Sequence, residues 1–153
     1  MSTTSAEPLQ APADAGPRYL PLLLANLAMV AGTYAFVAIA GPLARRLNLE
    51  PLHIGAVIAS VGLVWIAAAP RWGRAADARG RLPAMRASII GFVASFLLLA
   101  GYVGWALHRD GAVMPPVWAS FVALLATRAA MGGCYAGLPV AATAWIADRT
   151  ATT

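Results

Sequence analysis

Charged residues divide the chain into long apolar runs. None occurs between Arg18 and Arg45, between Glu50 and Arg71, or between Arg86 and His108, and from Gly111 to Ala147 the only one is Arg128. A helix crossing a hydrocarbon core about 30 Å thick needs about 20 mainly apolar residues, and each run supplies them. The fourth span begins near Val117, after the helix-breaking pair Pro115-Pro116. Barrel strands would alternate apolar and polar positions over about 10 residues, which these runs do not do. The pattern predicts an all-α, polytopic membrane protein with four transmembrane helices at about 19–44, 52–72, 86–107 and 117–147, and a polar loop over 73–85.

Composition agrees with that class: 60% of the residues are hydrophobic and 11% are charged, about half the charged share of a soluble domain. The net charge of +5 would suit a nucleic acid only if the arginines shared a solvated face with polar or aromatic neighbours. They border apolar runs instead, so no nucleic-acid partner is expected and the charge is read as setting orientation and touching anionic lipid. With the N-terminus inside, Arg18, Arg71, Arg74, Arg79, Arg81, Arg86 and Arg149 fall on the inner side, against Arg45, Arg46 and Arg109 outside. Cytoplasmic loops carry the arginine excess, which predicts a cytoplasmic N-terminus in an inner-membrane protein.

Residues 1–18 mix Ser, Thr, Ala and Pro with two acids and read as a disordered cytoplasmic tail. They lack the basic start of a secretory signal, so the first apolar run is expected to remain as an anchor. The single cysteine, Cys134, excludes an internal disulfide.

The connection Trp72 to Pro83, WGRAADARGRLP, gathers three arginines, an aspartate and two glycines between greasy runs. Asp77 and Arg81 are four apart with the acid first, the better order for a pair on one helical turn. Gly73, Asp77, Gly80 and Arg81 resemble the loop signature of the major facilitator superfamily, G-x-x-x-D-x-x-G-R, placed as in that family between the second and third spans. The resemblance implies that Asp77 pairs with Arg81 and with a helix end in the other half of the protein, steadying one state of a transport cycle. Ala75, Ala78 and Leu82 depart from the usual pattern, and Arg74 and Arg79 stand near the missing charges.

Helix 4 carries a second likeness, in Leu124, Arg128 and Gly132 at intervals of four, followed by Gly133, with Met131 where glutamine is frequent. Gly133 and Gly137 form a G-x-x-x-G, which lets helices approach closely. Arg128 falls near mid-membrane, where its insertion costs about 2.5 to 3.5 kcal/mol, and no acid lies inside any of the four spans. Its partners must be neutral groups, water, substrate or an acid elsewhere. Asn26 and Thr33 are seven apart and share a face of helix 1, with Tyr34 beside them. They read either as a cavity wall or as interhelical hydrogen-bonding groups. The resemblance implies proton coupling for Arg128. Gly41-Pro42 with Leu43 to Leu47, and Trp145 to Asp148, are similar to drug-efflux members of the superfamily.

No paired carboxylates, metal cluster, nucleophile triad or phosphate loop occurs, so no enzyme activity, metal or cofactor is expected. The expected function is that of the N-terminal part of a secondary active transporter, a proton-coupled exporter or antiporter of a small molecule, alternating access around helices 1 and 4. Its partners would be protons, lipid and the remaining helices of a carrier with about twelve. The alternative is a truncated, transport-inactive four-helix membrane protein or assembly partner. A small oligomeric drug exporter fits less well, because such proteins depend on a carboxylate in the first helix.

Overall fold

The structure, a computed structural model, describes residues 19–108 and 115–150; the expected tail at 1–18, with Arg18, and Arg109 lie outside the described residues, as does the side chain of Arg149. Five helices follow in order: α1 (Tyr19–Arg46), α2 (Pro51–Arg79), α3 (Arg81–Leu107), α4 (Val117–Tyr135) and α5 (Gly137–Thr150). Four segments are long and apolar enough to cross a membrane, one each in α1, α2 and α3, and a fourth, Val117–Asp148, made of α4 and α5 together.

The helices run past the ends of the apolar runs. Segment 73–85, expected as a loop, is helical on both sides of Gly80. Alanine and arginine are strong helix formers, and a backbone ladder does not stop where hydrocarbon gives way to water. Arg71 and Arg86 therefore mark the rim of the apolar slab and not the helix ends. Gly80 makes the turn with φ 95 and ψ 154, a region essentially confined to glycine. Its N–H closes α2 on the carbonyl of Ala76 at 3.0 Å, and Pro83 sits in the first turn of α3, where a missing N–H breaks no helical bond. At the opposite end Asn48 turns the chain between α1 and α2 with φ 53, a left-handed conformation that asparagine tolerates.

The fourth segment, expected as one helix, is two. Pro139 has no N–H for the carbonyl of Tyr135, and its ring crowds that carbonyl. Carbonyls beside the interruption are satisfied from neighbouring helices instead: Trp72 Nε1 donates to Gly133 O at 2.7 Å, and Ser88 Oγ donates to Cys134 O at 2.7 Å. Breaks in membrane helices persist when other helices supply such partners.

α4 is the centre of the bundle and packs most extensively on α2 and α3, while α5 packs on α3 and α2. Leu124 and Met131 of α4 are completely buried. Gly132 lies directly on the α2 backbone, since a Cβ there would stand 2.3 Å from the carbonyl oxygen of Val61. Membrane helices attract one another through such close packing, there being no water to drive them together. α1 packs more lightly, on α2, α3 and α5. It faces α4 across a cavity.

Candidate functional site

That cavity, of about 350 Å³, is lined from α1 by Thr33 and Tyr34, from α2 by Trp65, and from α4 by Arg128 and Tyr135, with valines and an isoleucine between them. Arg128 is 1% exposed. It lies eleven residues into α4, about 16 Å along the helix axis. Its Nη1 donates to the backbone carbonyl of Thr33 at 3.3 Å and lies 3.9 Å from Met131 Sδ. The guanidinium carbon stands 4.6 Å from the centroid of the Phe36 ring, whose negative face attracts a cation. Nε is buried and has no hydrogen-bond partner among the described residues. The described acids, Glu50, Asp77 and Asp148, all sit near helix ends, so no carboxylate there neutralises this charge.

The polar side chains expected from helix 1 are distributed differently. Thr33 contributes its carbonyl to Arg128, while its hydroxyl donates back to Met29 O at 2.9 Å. Tyr34 lines the cavity yet is 68% exposed, on the rim. Asn26 is not among the lining residues; its Oδ1 is buried without a partner among the described residues. Trp65 and Tyr135 were not singled out by sequence pattern as cavity residues. The indole nitrogen of Trp65 is also buried without a partner among the described residues.

Gly133 and Gly137 do not form one continuous face, because the helix is interrupted between them at Ala136. Gly133 faces Val64, 3.3 Å from where its Cβ would be, whereas a Cβ on Gly137 would come within 2.6 Å of the Trp72 ring and 2.7 Å of Ser88 Cβ. Gly73 is under no such pressure, with Val140 at an ordinary 3.9 Å.

The signature residues form a second cluster at the Gly80 end. Arg81 is ion-paired with Asp77 on the adjoining turn of α2, and its Nε donates to Asp148 of α5 at 3.3 Å. A helix end of this chain, α5 at Asp148, thus joins the cluster through Arg81. Asp148 closes the segment Trp145 to Asp148, but a partner 67 positions away leaves no local trace in sequence. Exposed pairs of this kind add little stability, about 0 to 1 kcal/mol, so their value lies in holding the α2–α3 hairpin to α5. A wider groove of about 410 Å³ opens nearby between α1, α3 and α5; its wall is apolar apart from Arg86.

Membrane-length segments thus surround a buried cation, which has no carboxylate beside it among the described residues, and a cavity of small-molecule size. The family model of the Major Facilitator Superfamily matches residues 22–153, and the chain belongs to that family of carriers, which are not enzymes. No curated protein and no solved structure matches the chain.

Proposed function

We propose that the chain forms the N-terminal part of a proton-coupled exporter, an antiporter of the inner membrane with its N-terminus in the cytoplasm. The observation that carries this reading is Arg128, buried at mid-span with one edge of its guanidinium unpartnered. Arginine stays protonated at any physiological pH, so it does not itself carry the proton. It acts as a fixed cation on which a carboxylate rests when ionised and from which it departs when protonated, which links proton binding to the choice of state. Export is supported by the likeness of residues 41–47 and 145–148 to efflux members. Orientation is supported by the crowding of Arg71, Arg74, Arg79, Arg81 and Arg86 toward the Gly80 end. Carriers of this family build each half from inverted three-helix repeats, and the light packing of α1 with exposed Tyr34 on the cavity rim is where further helices would lie.

Asp77, Gly80 and Arg81, with Asp148, serve as the gate in this reading. Asp77→Asn removes the charge that holds Arg81 to α2 and is expected to lower kcat by about tenfold or less with KM little changed, since the pair is exposed. Unaltered turnover would reduce the cluster to an orientation signal.

The reading itself is tested in inverted membrane vesicles carrying the protein, where a proton gradient should drive substrate accumulation and a protonophore should abolish it. Accumulation indifferent to the protonophore would end the antiporter assignment. An antibody to residues 1–18 adds a second check: the native species should run at about three times 15.8 kDa, as a carrier of about twelve helices requires. A species at 15.8 kDa would favour the transport-inactive four-helix protein.

A further inference from the structure

The cavity at Arg128 is rich in N–H donors. Arg128 and Trp65 both line it, and each has a buried N–H, at Nε and at the indole nitrogen, without an acceptor among the described residues; Tyr34 and Tyr135 add phenols, which can donate as well as accept. The carbonyl of Thr33, an acceptor close by, is already engaged by Arg128 Nη1. Buried donors left without acceptors are costly, and a guanidinium most of all. The remaining wall, formed by Val30, Val37, Ile58 and Val61 among others, is apolar.

We propose that the transported molecule is a small amphipathic organic monoanion whose carboxylate is held by Arg128 while its apolar body lies against the valine and isoleucine wall. This rests on the reading of the cavity as the substrate site. A carboxylate approaching the Nε edge accepts two parallel hydrogen bonds from a planar guanidinium, the arrangement that makes arginine selective for this group. The indole N–H of Trp65 and the tyrosine hydroxyls are the further donors a second carboxylate lone pair would use. A cationic substrate is disfavoured by the same geometry, because it would meet a like charge in a low-dielectric site with no acid among the described span residues to offset it. A volume of about 350 Å³ admits a ring with a short acid-bearing chain, at the small end of ligand sites.

The test holds the apolar body constant and changes only the head group. Binding of 3-phenylpropanoate, 3-phenylpropanamide and 3-phenylpropylamine is measured calorimetrically to the intact protein purified from its membrane into lipid nanodiscs, without any pH gradient. The carboxylate should bind at least about tenfold more tightly than the amide, the range expected for hydrogen bonds to a charged group, and the amine should bind most weakly. Arg128→Gln should erase that preference by weakening the carboxylate while changing the amide less than about threefold, and Arg128→Lys should restore part of it. Equal affinities, a preference for the amine, or no binding of any of the three would overturn the proposal, and the first two are read on the unmodified protein, whatever the variants do. The outcome is separable from that of the transport reading: proton-driven export with a preference for the amine sinks only the anion, whereas carboxylate binding without transport sinks only the exporter.

Discussion

Replacing Arg128 by alanine is expected to abolish proton-driven transport while leaving the protein in the membrane at its normal level. The physical reasoning separates two roles that a buried arginine could have. As a structural element Arg128 is poor: placing it at mid-membrane costs about 2.5 to 3.5 kcal/mol, while its contacts are a carbonyl at 3.3 Å, a thioether and the Phe36 ring, the last worth about 2 kcal/mol when desolvated. Removing it should leave folding nearly unchanged, with a melting temperature within a few degrees of the parent. As a functional element it has no substitute among the described residues, because no other cation lines the cavity. The informative pair of measurements is therefore thermal stability and gradient-driven flux on one preparation. Loss of both would make Arg128 a packing residue, and retained flux would remove it from the coupling step.

The second large effect is expected at Gly132. A Cβ there would stand 2.3 Å from Val61 O and 2.7 Å from Val61 Cα, and both are backbone atoms that move only if α2 and α4 separate. Gly132→Ala is expected to destabilise the bundle by about 1 to 3 kcal/mol, the usual range for overpacking, and larger side chains by more. Gly133→Ala serves as the control, for its Cβ would meet only Val64 Cγ1 at 3.3 Å, and a side-chain methyl can yield by a small rotation. Thermal denaturation in detergent should rank the parent and Gly133→Ala together, well above Gly132→Ala. An equal fall for both variants would mean that the α2–α4 contact is softer than its backbone spacing implies.

The spans were legible in the sequence because charge is excluded from hydrocarbon, so the gaps between Arg18, Arg45, Glu50, Arg71 and Arg86 outline the slab directly. The helix ends were not legible by the same signal. Between Trp72 and Arg86 the solvent changes while the backbone remains helical, and only the dihedral angle of Gly80 breaks it. A proline such as Pro139 interrupts a helix, but the break at Ala136 is accompanied by Trp72 and Ser88 capturing the carbonyls of Gly133 and Cys134, which is a tertiary event. Arg128 stood out as an isolated charge. Its actual neighbours did not, since a backbone carbonyl and a phenylalanine ring carry no polar flag in a sequence. Trp65 was equally unflagged, since nothing local in the sequence marks a tryptophan at the middle of α2 (Pro51–Arg79) as a cavity residue.

The interruption at Ala136 has a mechanical meaning. The α2–α3 hairpin clamps the fourth segment on both sides of it: Trp72 and Ser88 grip the carbonyls of Gly133 and Cys134 in the last turn of α4, and Arg81 holds Asp148 near the finish of α5. A jointed rod clamped on both sides of its joint bends there only when one clamp opens. The clamp at Asp148 is the exposed one and the weaker, so its release frees α5 to swing about Ala136 while α4, with Arg128, stays with the hairpin.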